Sequence, residues 1–70
     1  MGLKVGDIVW TTAINEKVWL PVRVEILDTF MDNFIKVRYV GWEIILDPEE
    51  IFKTQEEAAR QAMIKTLKGE

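Results

Sequence analysis

The side chains with the most chemical potential in this chain are aromatic, cationic and carboxylic, and their spacing argues for contact rather than catalysis. The sequence has no histidine and no cysteine, which removes the commonest acid–base catalyst and the commonest metal ligands. It has no serine either, and Thr11, Thr12, Thr29, Thr54 and Thr66 lack a histidine base. Asp47, Glu49 and Glu50 cluster around Pro48, but carboxylates gathered at a turn are ordinarily solvated. There is no glycine-rich phosphate loop. We therefore expect no catalytic residue, no metal ligand and no cofactor, and the chain reads as a non-enzyme.

What remains is a set of side chains suited to recognition. The stretch "ILDTFMDNFIKV" places Phe30 and Met31 among the turn formers Asp28, Asp32 and Asn33, with Phe34 following at once. Apolar residues at a loop tip either fold back over Leu27 and Phe34 or stay exposed and anchor a protein partner. Trp19, Tyr39 and Trp42 add an aromatic rim, where Tyr39 and Trp42 either close one end of a core or meet a ligand. The leading expectation is a protein-interaction module that binds a protein or peptide through Trp19, Phe30, Met31, Phe34, Tyr39 and Trp42. The alternative is nucleic-acid binding by Arg23, Lys36 and Arg38, with Phe34 stacking on bases. Nine basic against twelve acidic residues, a net charge of −3, count against it, because phosphate backbones demand a basic footprint. A third possibility is self-association through an exposed strand edge or through Ile8 and Trp10. No apolar run approaches membrane-spanning length, and "MGLKVG" fits neither a signal peptide nor the myristoylation pattern. The expectation is a cytoplasmic protein without a membrane partner, and nothing in the composition fixes its oligomeric state.

Seventy residues make a single domain, 1–70, near the lower limit for a lone hydrophobic core. Without disulfides, that core must come from the 49% of residues that are hydrophobic. Positions 3–53 read as short strands separated by turns, and 55–68 as a helix. In "VRVEIL" and "FIKVRYV" apolar and polar residues alternate, as in antiparallel strands with one buried side. Zipping them so that Ile26 meets Ile35 pairs Val24 with Val37 and Val22 with Tyr39 inside. Outside it pairs Glu25 with Lys36, Leu27 with Phe34 and Arg23 with Arg38, leaving "DTFMDN" as the hairpin loop. "YVGW" reads as a tight turn around Val40 and Gly41, with Ile44 and Leu46 continuing the buried side. "DPEEIF" reads as a 3₁₀ turn opened by Pro48 and a short strand through Ile51 and Phe52. If Val9 points inward, Ile8 and Trp10 point outward together, under the helix. Thr54 and Glu57 form a capping box, acidic residues start the helix, Lys65 and Lys68 end it, and Gly69 stops it. Its apolar stripe is Ala59, Ala62, Met63 and Leu67, read as core-facing.

Five short strands with a 3₁₀ turn before the last describe an SH3-like small barrel, and three motifs carry a resemblance to the Tudor domain family. "KVGD" at 4–7, with Val9 after it, resembles the opening of those domains. "LPVRV" at 20–24 looks like their second strand, and "IKVRYVGW" at 35–42 is similar to their third strand and its turn. The resemblance covers roughly 4–52 and implies a mainly β fold, a five-stranded antiparallel SH3-like barrel with one C-terminal α-helix. It also implies an aromatic cage for a methylated cation, with Tyr39, Trp42, Ala13 and Leu20 at its four wall positions. Only two of those four are aromatic. The first loop, "TTAINEKVW", and the loop carrying Phe30 are expected to flank the ligand groove.

Overall fold

The computed structural model describes residues 3–30 and 33–69. Four antiparallel strands, β1 (Ile8–Asn15), β2 (Val18–Phe30), β3 (Phe34–Tyr39) and β4 (Trp42–Leu46), form one sheet in the order β1-β2-β3-β4. A 3₁₀ turn at Pro48–Glu50 and a helix, α1 (Gln55–Lys68), complete the fold. The mainly β class and the helix bounds agree with the sequence. The five-stranded closed barrel does not, because the sheet is open and has four strands. The segment expected as a fifth strand makes a single bridge, in which Phe52 and Trp10 exchange backbone hydrogen bonds of 2.7 and 2.8 Å. Helix α1 begins too soon afterwards for a longer ladder. Among the described residues no helix is long and apolar enough to cross a membrane.

β2 is the spine. Its first part pairs with β1, from Asn15 opposite Val18 to Ile8 opposite Glu25. Its second part pairs with β3, from Glu25 opposite Arg38 to Phe30 opposite Phe34. A bulge at Leu27 lies inside this second ladder, between Ile26 opposite Val37 and Asp28 opposite Lys36. The expected register, Ile26 with Ile35, is thus displaced by two residues. Up to the bulge this two-residue shift keeps the side chains on their faces, so the alternation held there while the pairing did not; beyond it the displacement is three, and Phe30 rather than Leu27 meets Phe34. The strands also continue to Phe30 and Phe34, leaving residues 31–33 between them where six had been expected. "TTAINEKVW" is likewise strand, closed by a two-residue turn at Glu16 and Lys17.

The two faces of the sheet are filled differently. On one face Val9, Val24, Ile26, Ile35 and Val37 form the buried core, with Leu3, Val22, Tyr39, Leu46 and Ile51 packed at its margin. "KVGD" is the turn that feeds this layer: Gly6, at φ 94°, donates to the Ile26 carbonyl at 2.7 Å, and the Ile26 N–H donates to Asp7 at 2.9 Å. Buried Thr11 donates its hydroxyl to the Glu50 carbonyl at 2.6 Å, which fastens the 3₁₀ turn to β1. On the other face lie Trp10, Thr12 and Ile14 opposite Arg23, Pro21 and Trp19. Helix α1 covers this half. It starts beyond Phe52, and near its end Thr66 Oγ1 accepts the Trp19 N–H at 2.9 Å.

Thr54 and Gly69 cap the helix as expected, with the Glu57 N–H donating to Thr54 Oγ1 at 3.2 Å and Gly69 at φ 74°, but the Glu57 carboxylate accepts from the Thr54 hydroxyl at 3.2 Å instead of completing the capping box. Its buried side differs. Ala58 and Ala62 are buried, whereas Met63 is 64% and Leu67 81% exposed. Small side chains let the helix axis approach the sheet closely, and that approach turns the larger apolar residues outward. Lys65 donates to Thr12 Oγ1 at 2.9 Å and stands 4.5 Å from the centre of the Trp19 ring, a cation–π contact. Trp10 is half-buried under this layer, while Ile8 remains exposed.

Candidate functional site

The residues singled out from the sequence fall into three places. Trp19 lies in the β1–β2 half, beneath Lys65 and tied by its N–H to Thr66. Phe30 and Phe34 face each other across the end of the β2–β3 hairpin, 41% and 50% exposed. Met31 lies outside the described residues. Tyr39 and Trp42 face each other at the other end of β3. At about 3.3 Å per residue, Phe34 and Tyr39 stand about 17 Å apart along the strand. Strand parity also puts Trp19 on the helix-covered face and Tyr39 on the core face. The three aromatics of the expected rim therefore do not form one rim.

The four positions implied by the Tudor resemblance share the core face in two cross-strand pairs, Ala13 with Leu20 and Tyr39 with Trp42. Tyr39 packs against the core, and Trp42 is 74% exposed. Two aromatic walls are thus present, and the facing pair is aliphatic.

The β3–β4 hairpin carries a cluster of exposed apolar residues. Val40 at φ 49° and Gly41 at φ 82° occupy its two-residue turn, both at positive φ as a type I′ turn requires. Glycine takes such a conformation freely, whereas for a β-branched residue it is strained by about 1–2 kcal/mol. Val40 recovers nothing by burial, being 76% exposed. Beyond the turn, Trp42, Ile44 and Ile45 are all exposed, and among the described residues no strand pairs with the outer edge of β4. Ile44 was expected to be buried, Val40 was expected in the turn but not as exposed apolar surface, and the sequence pattern assigned Ile45 no role. No local signal in "WEIIL" marked their exposure, since the strand expected after it, through Ile51 and Phe52, makes only a bridge to Trp10 and leaves the edge of β4 unpaired among the described residues.

The surface charges on β2–β3–β4 alternate. Lys36 Nζ lies 2.9 Å from Glu43, and Arg38 Nη1 lies 3.6 Å from Glu25. Asp28 stands opposite Lys36. Hydrogen bonding and attraction from Lys36, with a smaller pull from Arg38, hold the Glu43 carboxyl below the usual glutamate range. Arg23 lies across from Trp10 rather than from Arg38. The three cations expected as neighbours are thus separated or interleaved with carboxylates. Among the described residues no group of three or more acidic side chains is arranged to hold a metal. Glu50 is engaged locally, its carboxylate accepting from the Asp47 N–H at 3.3 Å.

These features define a small mainly β protein with a strained, apolar hairpin on an open sheet edge. In comparisons with known proteins no family model matches the chain, and no curated protein or solved structure matches it.

Proposed function

We propose that this chain is a non-catalytic protein-interaction module that binds a protein or peptide through the β3–β4 hairpin, with Phe30 and Phe34 as a second contact. Trp42 carries the reading: a tryptophan 74% exposed on a free sheet edge, beside a valine held at positive φ. Neither feature benefits the isolated fold, and backbone strain of this kind concentrates at surfaces that are used. Tryptophan is also among the residues that contribute most to protein interfaces. The kinship with Tudor domains is kept as part of this proposal, supported by the antiparallel strand order and the return of Phe52 beside Trp10. The half-aromatic cage does not support reading of methylated side chains.

The test is selection of a phage-displayed peptide library on the immobilised protein. Enriched peptides are expected to lose at least tenfold in affinity for Trp42→Ala while the variant keeps its thermal stability. The alternative, nucleic-acid binding through Arg23, Lys36, Arg38 and Phe34, makes the opposite forecast. It requires no enriched peptide, and binding of mixed oligonucleotides that weakens steeply with salt.

A further inference from the structure

We infer that β4 pairs edge to edge with β4 of a second copy of this chain, giving a two-fold antiparallel dimer centred on Ile44. The inference rests on the reading of β4 as a contact surface and commits that surface to one occupant. The type I′ turn makes Tyr39 and Trp42 a hydrogen-bonded pair. In an antiparallel ladder the direction of the backbone groups alternates. Trp42, Ile44 and Leu46 therefore direct their N–H and C=O groups to β3, and Glu43 and Ile45 direct theirs to the free edge. Within Trp42–Leu46 there is no lysine, proline or bulge, the devices that ordinarily blunt an exposed edge.

The register follows from charge. With the axis at Ile44, Glu43 faces Ile45 of the second copy, and each such pair exchanges two backbone hydrogen bonds. Moving the axis to Glu43 opposes two glutamates, and moving it to Ile45 opposes Glu43 with Asp47. Only the Ile44 axis avoids like charges among these three. The cross-strand row Asp28, Lys36, Ile45 then continues into Glu43, Arg38 and Glu25 of the second copy, so opposite signs alternate through the seam. On the other face Ile44 meets its own equivalent, and Trp42 meets Leu46 of the second copy. That extends the apolar row of Ile26, Val37 and Ile44 across both sheets and covers much of the exposed edge.

Because the chain has no cysteine, Ile44→Cys is a clean probe of the axis. Under mild oxidation it is expected to cross-link to twice the 8.2 kDa monomer mass, whereas Trp42→Cys, facing Leu46, is not. In sedimentation equilibrium the wild-type mass should rise with concentration toward the same doubled value. Ile45→Glu places a carboxylate against Glu43 of the second copy while gaining Lys36 in its own sheet. It should raise the dissociation constant at least tenfold without lowering the Tm measured at concentrations where wild type is monomeric. Ile45→Lys places an ammonium against that glutamate and should keep the dimer. Dissociation by both Ile45 variants would mean unspecific apolar association and overturn the register. A monomeric mass at every concentration, with no Ile44→Cys cross-link, overturns the dimer itself. Peptides still captured through Trp42 in that case would leave the interaction-module reading intact, which separates the two failures.

Discussion

The two halves of this sheet use the same kinds of residue to opposite ends. In the β1–β2 half, Ala58, Ala62 and Thr66 bring a helix down on the strands, Lys65 roofs Trp19, and Phe52 bridges the edge of β1. In the β3–β4 half the described residues place no helix over the strands, and Trp42, Ile44, Ile45 and Phe34 remain exposed. The first half contains the closing interactions of a chain too small to have many. The second is an apolar surface that the isolated fold leaves open. A tryptophan in each half makes the contrast plain: one is a floor for a lysine, the other an exposed projection.

Substitutions sharpen that contrast. The largest effect belongs to Ala62→Asp, which sets an unpaired carboxylate in the helix–sheet contact. It should cost about 3 kcal/mol or more, read as a fall in the urea midpoint, and a loss below about 1 kcal/mol would show that the helix does not close this half. Next is Thr66→Val, which strips the Trp19 N–H of its acceptor. We expect a loss of about 1–2 kcal/mol, with faster amide exchange at Trp19.

In the open half the sign reverses. Val40→Asn relieves a β-branched residue at positive φ and should stabilise by about 1 kcal/mol. A destabilised variant would mean that Val40 is not strained in solution. Trp42→Ala should change unfolding free energy by no more than about 0.5 kcal/mol, since the ring is 74% exposed. A larger loss would move Trp42 into the core and break the comparison. The smallest effect is that of pH on Glu43. Its carboxyl is held below the usual glutamate range by Lys36, so the pair contributes stability above that range. The contribution fades as pH falls through the lowered folded-state value. The Tm difference between wild type and Glu43→Gln should be present at neutral pH and vanish in acid.

How much of this was legible depended on the range of the interaction. The helix could be placed from Gln55 to Lys68 because Thr54 and Gly69 act on backbone groups a turn away or less. Its buried side could not, because Met63 and Leu67 are the larger apolar residues and hydrophobicity alone favours them. Ala58 and Ala62 prevailed because close approach to a flat sheet depends on small volume. The β2–β3 faces were legible and the pairing was not, since alternation with a period of two is unchanged by a shift of two. Only the bulge at Leu27 and the meeting of Phe30 with Phe34 pick one register. Of the proposed surface, Phe30, Phe34 and Trp42 were candidates from the sequence, whereas Val40, Ile44 and Ile45 were not. Their exposure depends on which strand lies outermost, and nothing local to them records that.

Composition and short-range patterning were enough to establish the mainly β class, the helix and the turn at Val40 and Gly41. Left to tertiary packing were the open sheet, the choice of small residues beneath the helix, and the separation of the aromatics into three places. The reason is physical. Capping and alternation act over a few covalent bonds and are written in order along the chain. An edge, a register or a covered face exists only once distant segments have competed for the same neighbours.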